Sequence, residues 1–203
     1  MMPGAVQHRV NHPFAELPPH GADKGQRDHQ KNEEKDIEDK ILNSLSIDYP
    51  KELLEIVVVS DASSDRTDEI VKSFKGLVKL CRVEGRVGKT EARNIALKSV
   101  DSEIVLFSDA TTIYEADALK KLVRNFADPE VGMVTGQLVY KDPGNSQMSL
   151  GQKLYWKYES IIKESQTKMG TLTGSVGCIT AFRKNLYKDL PANVIEDFTQ
   201  PLM

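Results

Sequence analysis

The chain has 203 residues, of which 39% are hydrophobic and 28% charged, so it is long enough to bury a sizeable core in one domain or two small ones. Its 27 lysine and arginine residues stand against 30 aspartate and glutamate residues, and the formal net charge of -3 excludes a nucleic-acid binder that relies on bulk basicity. The composition also excludes collagen-like, coiled-coil and disulfide-scaffold proteins, and the two distant cysteines, Cys81 and Cys178, indicate buried thiols in a reducing compartment.

Residues 1–31 have the composition of a disordered or atypical tail. They contain all four histidines and four of the nine prolines, without an apolar period that would support packing. The alternative is a histidine-rich metal site, but His8 and His12, a pair with helical spacing, precede Pro13 rather than lying on an apolar face. We therefore expect a tail at 1–31 and a folded domain at 32–203.

From Asn32 onward, helical and strand patterns alternate. The first predicted helix ends before Pro50, because proline cannot continue it. Asp65 is placed to cap the second helix. The apolar face of the first helix comprises Ile37, Ile41, Leu42 and Leu45. The further predicted elements, in chain order, are a strand at 54–59, a helix after Asp65, a strand at 77–83, a helix at 90–100, a strand at 103–107, a helix ending before 128, a strand at 131–140, a helix at 150–166 and a strand at 176–182.

Strands that alternate with helices predict an α/β fold, in which a mixed, mostly parallel sheet is flanked by helices and joined by right-handed crossovers. The segments 54–59 and 103–107 are rich in β-branched and other apolar residues, which is typical of strands buried on both faces. Ligands of such sheets bind outside the carboxyl ends of the strands, so the residues that follow each strand are candidates for function.

Three of these positions carry an aspartate. Asp61 follows the strand at 54–59, Asp109 follows the strand at 103–107, and Asp197 lies in a loop-like stretch after the last strand. A single carboxylate after a strand is usually a helix cap or a turn residue. Three carboxylates at the same edge of a sheet instead indicate a binding or catalytic site.

A glycine-containing loop precedes the helix at 90–100. Gly88-Lys89-Thr90 matches the end of a phosphate-binding P-loop, but the glycine that this motif needs five residues earlier is replaced by Val83, so the P-loop interpretation fails. Arg86 and Lys89 still place two cations in the loop, and with its free backbone amides they could bind a diphosphate. The alternative is an ordinary solvated loop.

Five short blocks, taken together, resemble the signature blocks of family 2 glycosyltransferases in order and in spacing. The resemblance covers roughly residues 32–203. Within the family, the chain most resembles the membrane-associated members that synthesise polysaccharides, because it contains Tyr155-Trp156 and Tyr158-Glu159. The blocks lie at 57–67, 88–94, 106–111 and 174–183 and at the pair Glu196-Asp197.

The resemblance implies a GT-A fold and an inverting transfer of a sugar from a nucleoside diphosphate sugar, with uridine diphosphate as the expected nucleotide, to a hydroxyl of a glycan or glycolipid. It implies Mg²⁺ or Mn²⁺ as the cofactor and gives no role to nucleic acid. It also implies a cytoplasmic location, or the cytoplasmic face of a membrane in a full-length relative, with which membrane association is compatible.

For the donor side, the resemblance assigns Asp61 to the nucleobase or ribose, and it places Arg86 and Lys89 near the diphosphate. Asp109 would be the first carboxylate of the D-x-D metal motif and would contact the nucleotide through the ion. A metal held by hard oxygen ligands can neutralise the charge that builds up on a departing nucleoside diphosphate.

For the acceptor side, the resemblance makes Asp197 the general base, and Glu196 would raise the proton affinity of Asp197 through like-charge proximity. Gly174 and Gly177 would let the backbone approach the sugars, and Arg183 would support that floor. The aromatic residues Tyr155, Trp156 and Tyr158 either fill the core or stack on sugars, with Trp156 as the candidate acceptor platform.

The sequence departs from the family pattern at several points. The second D-x-D carboxylate is replaced by Thr111, so a substrate phosphate, a water molecule or another side chain would have to complete the metal shell. Ala62 stands where glycine is common, which matters only if this residue needs a positive φ. The segment 23–31 cannot form the buried strand that relatives have before Asn32, so we expect the first, central strand to be missing.

The chain ends six residues after Asp197, without the Q-x-x-R-W block that many relatives carry, so we expect a product truncated at both ends. Two other interpretations therefore stay open. The chain is either a catalytically incomplete fragment that binds nucleotides, or, less in keeping with the blocks, a nucleotidyltransferase on a similar fold.

Overall fold

The structure is a computed structural model that describes residues 6–11, 33–137, 158, 161–170, 173–191, 194 and 196–202, with the backbone alone at 6–11. Its strands are β1 (Val6–Asn11), β2 (Leu54–Asp61), β3 (Lys79–Val83), β4 (Ile104–Asp109), β5 (Met133–Thr135) and β6 (Ile179–Arg183). Its α-helices are α1 (Glu33–Leu45), α2 (Thr67–Ser73), α3 (Lys89–Lys98), α4 (Ala118–Val123), α5 (161–168) and α6 (Glu196–Thr199). Short 3-10 helices lie at Lys51–Leu53, Arg124–Ala127, Lys184–Leu186 and Gln200–Leu202.

The described strands form one sheet in the order β3-β2-β1-β4-β6-β5. Strands β1 to β4 are all parallel to one another, and β6 is antiparallel to both β4 and β5. Ser108, near the end of β4, pairs with Ile179 at the start of β6. The loop that precedes β6 therefore lies at the same edge of the sheet as the carboxyl ends of β2, β3 and β4. The predicted mixed, mostly parallel sheet is confirmed.

The expectation that the central strand is missing is wrong. Strand β1 lies between β2 and β4, and its last residue, Asn11, pairs with Val59 on one side and Asp109 on the other. A gap there would leave the inner edges of two buried strands without partners for their backbone amides and carbonyls, which is costly whatever side chains the missing strand would have carried. The strand falls inside the segment 1–31. The domain boundary near residue 31 stays a prediction, because 1–5 and 12–32 lie outside the described residues.

Different helices cover the two faces of the sheet, because successive residues of a strand point to opposite faces. On one face, α1 and α2 pack against β2 through a buried cluster that includes Ile37, Ile41, Ile56, Val58 and Val71. On the other face, α3 packs against the same strand through Val57, Val59, Ala92, Ala96 and Leu97. Burial of each valine or isoleucine side chain stabilises the fold by about 1.5–3 kcal/mol. The sheet is thereby fixed between its helices, and its carboxyl edge is held in place.

The first helix differs from its prediction at one residue. Ile37 and Ile41 are fully buried and Leu45 packs against the core, but Leu42 is 51% exposed. Leu42 follows Ile41 by one residue, which is a rotation of about 100° around a helix with 3.6 residues per turn, and so it points away from the sheet. The buried face of α1 instead includes Lys40 and Ser44.

The last predicted strand starts later than expected. It was predicted at 176–182, but the backbone N–H of Ile179 donates to the Val176 carbonyl at 2.8 Å, and this turn delays the start of β6 until Ile179. The preceding residues, up to Cys178, therefore form a loop at the edge of the sheet.

The segments between α4 and β6 are only partly described. Of the strand predicted at 131–140, the structure shows β5, while 138–140 lie outside the described residues. Of the helix predicted at 150–166, residue 158 and α5 are helical, and the remaining positions lie outside the described part of the chain. Within the described residues, no helix has both the length and the apolar character that crossing a membrane requires.

Candidate functional site

Asp61, at the end of β2, anchors the loop that leads into α3. Its Oδ1 accepts a hydrogen bond from the backbone N–H of Val87 at 2.9 Å, and its Oδ2 accepts one from that of Gly88 at 3.0 Å. Gly88 has φ +87°, a conformation that glycine adopts without steric cost. Both oxygens of Asp61 thus fix the loop, and its predicted contact with a nucleobase or ribose stays a prediction.

Asp109, at the end of β4, lies beside two cations from α3. Its Oδ1 is 3.3 Å from Nζ of Lys89 and 3.6 Å from Nη2 of Arg93. The side chains of Asp109 and Lys89 are each 27% exposed, whereas that of Arg93 is 2% exposed. Arg86 is exposed in the loop before α3, so its predicted place near a diphosphate stays a prediction.

Helix α1 holds the segment that follows Asp109. Nζ of Lys40 donates to the carbonyl of Thr112 at 2.6 Å and lies 3.6 Å from the ring centre of Tyr114. The side-chain amide of Asn43 donates to the Tyr114 carbonyl at 2.9 Å and accepts from the Tyr114 N–H at 2.8 Å. Burial lowers the pKa of Lys40 to about 7, against the opposing effects of Asp109 and Cys178.

Asp197 is the second residue of α6, and its side chain packs against the loop that precedes β6. A Cβ atom on Gly177 would collide with both carboxylate oxygens of Asp197, and one on Gly174 would lie 3.1 Å from the ring of Phe198. Ser175 donates to the Asp197 carbonyl from its backbone N–H at 2.8 Å and from its hydroxyl at 3.2 Å. The two glycines therefore leave the space in which α6 packs against this loop.

The Arg93 side chain connects the two sides of the site, and a small cleft lies beside it. Nη2 of Arg93 donates to the Gly177 carbonyl at 3.3 Å, so one guanidinium lies beside both Asp109 and the loop under Asp197. The residues that line the cleft include Arg93, Phe107, Ser175, Gly177, Tyr187 and Asp197. The ends of β2 and β4 and the loop under Asp197 are thus linked by side-chain contacts.

Arg183 does not lie at this site. It pairs with Ile104 at the start of β4, five residues from Asp109, which is about 16 Å along an extended strand. Its guanidinium donates to the carbonyls of Val131 at 3.0 Å and Phe126 at 2.8 Å, and it pairs with Glu103. The prediction that Arg183 supports the acceptor floor is wrong because the antiparallel direction of β6 carries its last residue to the opposite edge of the sheet.

The remaining predicted residues are only partly tested. Trp156 and Tyr155 lie outside the described residues, and Tyr158 is 65% exposed. Glu196 begins α6, and its predicted influence on Asp197 stays a prediction.

The two cysteines are free and half-buried, so the expectation of unpaired thiols is confirmed and that of full burial is not. Burial raises the pKa of Cys178, which keeps its thiol protonated at neutral pH. The Cys178 thiol therefore lacks the thiolate character that a nucleophile or a metal ligand needs.

Sequence analysis gave no role to two cations that the structure places at the site, Lys40 and Arg93. The helical period contained the signal in both cases. Lys40 follows Ile37 by three residues and Arg93 precedes Leu97 by four, so each lies on the buried face of its helix. A lysine or arginine that falls on a predicted core face is therefore a candidate site residue.

The carboxylates at the site could hold a divalent ion only if other groups complete its coordination shell. Asp109 offers a carboxylate, position 111 is a threonine, and among the described residues no three His, Cys, Asp or Glu side chains are grouped as a metal site. Mg²⁺ and similar ions are commonly held by one or two carboxylates together with substrate phosphates. The donor set fits an ion whose shell is completed by the phosphates of a bound nucleotide.

Comparison with curated proteins finds relatives that make a polysaccharide. The chain is 33% identical over 165 residues to the poly-beta-1,6-N-acetyl-D-glucosamine synthase of Staphylococcus epidermidis, covering 78% of this chain and 39% of that protein. It is 34% identical over 166 residues to the synthase of the same name from Staphylococcus aureus strain COL, with the same coverage. The chain spans about two fifths of the length of these relatives.

Comparison with solved structures supports the same fold. The mannosyltransferase PcManGT from Pyrobaculum calidifontis, in complex with GDP-Man and Mn²⁺, superposes with a TM-score of 0.72 at 26% identity, over 97% of this chain and 50% of that one. TarS of S. aureus, in complex with UDP-GlcNAc, superposes with a TM-score of 0.54 at 22% identity, over 90% of this chain and 46% of that one, and this likeness concerns the fold alone.

These neighbours are GT-A glycosyltransferases, so the predicted GT-A fold is confirmed. The model of the family described as glycosyl transferase family 2 matches residues 31–191, which is most of the chain. The ordered blocks, the fold and this match agree, and the chain belongs to glycosyl transferase family 2.

Proposed function

We propose that this domain transfers a sugar, with inversion, from a nucleoside diphosphate sugar to a hydroxyl of a glycan or glycolipid, and that its donor is a uridine diphosphate sugar. The observation that carries the proposal is the continuous set of contacts along the carboxyl edge of the sheet. These contacts hold the loop of Lys89 to Asp61, join Lys89 to Asp109, and connect Asp109 through Arg93 to the loop under Asp197. Support for the donor and acceptor classes comes from the polysaccharide synthases that the chain resembles.

On the donor side, positive charge comes from Lys89, the first residue of α3. Lys89 lies directly after Gly88, whose own N–H is held by Asp61. A departing nucleoside diphosphate gains negative charge, and a fixed cation at that position stabilises the transition state more than the ground state. The proposed role of Lys89 is therefore to stabilise the leaving group.

Asp109 would hold the divalent ion, with the oxygens of the diphosphate as further ligands. When bound, the ion would supply neutralisation of the phosphate charge. Oδ1 of Asp109 lies next to Lys89 and Arg93, and its carboxylate is the hard oxygen ligand that the end of β4 supplies.

On the acceptor side, Asp197 would accept the proton of the attacking hydroxyl. An alcohol is a poor nucleophile until its proton is taken up in the transition state, and a positioned base contributes about 10²–10⁴-fold there. Attack from the side opposite the leaving group gives inversion in one displacement, for which no nucleophile from the protein is needed. The glycines under Asp197 let its carboxylate pack directly on the backbone of the loop, which would fix the position of the base.

The proposal is tested by turnover of nucleotide sugars with Mn²⁺ or Mg²⁺. We expect this chain to release uridine diphosphate from UDP-GlcNAc in the presence of a glycan acceptor, and Asp197→Asn to lower kcat by about 10²–10⁴-fold. Asp189→Asn is the matched control, because Asp189 is 58% exposed and pairs with Lys98 away from the site. Unchanged turnover in Asp197→Asn would exclude Asp197 as the base, and turnover of GDP-Man in place of UDP-GlcNAc would reject the uridine donor.

A second candidate function is nucleotide binding without transfer. The replacement of the second D-x-D carboxylate by Thr111 favours it, since the metal then depends on one protein carboxylate. Metal-dependent binding of uridine diphosphate by a chain that shows no turnover would support this candidate, and turnover by the chain would reject it.

A further inference from the structure

Arg93 is a buried cation that the proposed chemistry does not use. It lies on α3, and its side chain is 2% exposed. Arginine keeps its charge at every accessible pH, and a buried charge is tolerated only where its surroundings compensate it. The groups that contact the Arg93 guanidinium therefore indicate the role of this buried charge.

The guanidinium of Arg93 meets groups from both sides of the site. Nη2 lies 3.6 Å from Oδ1 of Asp109 at the end of β4 and donates to the carbonyl of Gly177 at 3.3 Å. The centre of the guanidinium lies 4.4 Å from the ring centre of Phe107, which packs beneath it. A planar, rigid group with several N–H donors can join two acceptors in this way, and a lysine ammonium of shorter reach cannot match both.

Through Gly177, Arg93 is connected to Asp197 by packing and by the hydrogen bonds of the same loop. The Asp197 carboxylate lies so close to Gly177 that no side chain fits between them, and Ser175 in the same loop is hydrogen-bonded to the Asp197 carbonyl. A shift of the Gly177 backbone therefore moves the position on which Asp197 rests. Arg93 lies between this backbone and Asp109.

We propose that Arg93 is a positioning residue that couples the state of Asp109 to the position of the loop 174–178, and so to Asp197. This inference deepens the proposed function, on which its catalytic meaning rests. Oδ1 of Asp109 is shared between Lys89 and Arg93, so a change at this carboxylate alters the hold of Arg93 on the Gly177 carbonyl. A change in the contacts of Asp109 on the donor side would therefore shift the loop that supports Asp197 on the acceptor side.

The coupling is measured without any ligand, by hydrogen exchange of the backbone amides at 175–179 in the whole chain. Three of these amides have a defined acceptor: Ser175 donates to the Asp197 carbonyl, Val176 to the Thr135 hydroxyl and Ile179 to the Val176 carbonyl. We expect Arg93→Lys and Asp109→Asn each to speed exchange at 175–179 about tenfold, and the double variant to exchange no faster than either single variant, since both changes break the same link.

Two controls separate this coupling from general loosening. Asp61→Asn removes the carboxylate that holds Val87 and Gly88, so it speeds exchange at 87 and 88 and leaves 175–179 unchanged. Arg66→Lys, at a residue that is 72% exposed, leaves both segments unchanged.

Three results would overturn the inference: wild-type exchange at 175–179 in Arg93→Lys, unchanged exchange there in Asp109→Asn, or additive effects in the double variant. Should Arg93→Lys fail to fold, Asp109→Asn decides alone, because Asp109 is partly exposed and asparagine has nearly the same shape. The result is independent of turnover, so a failure of the proposed function and a failure of this inference are distinguishable.

Discussion

At the scale of single residues, the site depends on side chains that fix backbone. Asp61 accepts two backbone hydrogen bonds of the loop before α3, and Asn43 forms two with Tyr114. Each such bond contributes about 0.5–1.5 kcal/mol net, more where the acceptor is charged, and a lost partner costs more if the other group stays buried. The position of Lys89 follows from the Asp61 anchor, and that of Asp109 follows from its place at the end of β4.

Ala62 is a residue whose backbone conformation is unfavourable. It follows Asp61 with φ +52°, the left-handed region that costs a residue with a Cβ atom about 1–2 kcal/mol. We expect Ala62→Gly to raise the free energy of unfolding by about 0.5–1 kcal/mol, after the greater freedom of glycine in the unfolded chain is subtracted, which raises Tm by about 1–4 °C. Thermal unfolding followed by circular dichroism measures this change.

The matched control for Ala62→Gly is Ala127→Gly. Ala127 is exposed and lies in a 3-10 helix, where glycine is destabilising by about 0.5–1 kcal/mol. A loss of stability in both variants would contradict the account of Ala62.

At the scale of elements, α1 does more than cover the sheet. Its apolar residues pack on β2, while Lys40 and Asn43 hold the segment after β4 that contains Thr112 and Tyr114. One helix therefore connects the core to the residues that follow Asp109. The cost is a lysine buried in the interior, whose charged form is disfavoured.

The burial of Lys40 predicts a pH dependence of stability. The pKa of Lys40 is lowered from 10.5 to about 7 in the folded chain, so between these values the unfolded chain binds more protons, and stability rises with pH. We expect the free energy of unfolding of the wild type, minus that of Lys40→Met, to rise from pH 7 to pH 9 by up to about 1.4 kcal/mol per unit. Urea unfolding at a series of pH values measures this difference.

Lys98→Met serves as the control for this series, since Lys98 is exposed on α3 and pairs with Asp189 at the surface. Its difference from the wild type stays flat over the same range. Parallel pH profiles for the wild type and Lys40→Met would contradict the assignment of a lowered pKa to Lys40.

At the scale of the whole molecule, the topology explains why distant parts of the chain meet. Parallel strands deliver Asp61 and Asp109 to one edge, and the reversed direction of β6 brings the loop 174–178 to the same edge. Asp197 joins them because α6 packs on that loop. This arrangement places the donor side and the acceptor side of the proposed reaction next to each other.

Much of this arrangement could be predicted from the sequence. The buried strands β2 and β4 have continuous apolar runs, and each run is followed by a serine and then an aspartate, so both the sheet and its functional edge were predictable. Strand β1 could not be found in this way, because four of its six residues, Val6–Asn11, are polar or charged and its place is defined by backbone pairing.

The errors at Arg183 and Leu42 have a different origin. Arg183 was misplaced because local patterns do not show that β6 runs antiparallel to β4. Leu42 was misplaced because an apolar residue beside a buried one need not share its helix face. Direction and rotation are set by tertiary packing, which single-residue patterns do not contain.

The central claim, that this edge binds a nucleoside diphosphate through Asp109 and a divalent ion, is tested most directly by isothermal titration calorimetry of the chain with uridine diphosphate. We predict binding that Mn²⁺ strengthens at least about tenfold, that loses its Mn²⁺ dependence in Asp109→Asn, and that is unchanged in Asp189→Asn. Absence of binding in the wild type, or the same Mn²⁺ dependence in Asp109→Asn as in the wild type, would contradict the claim.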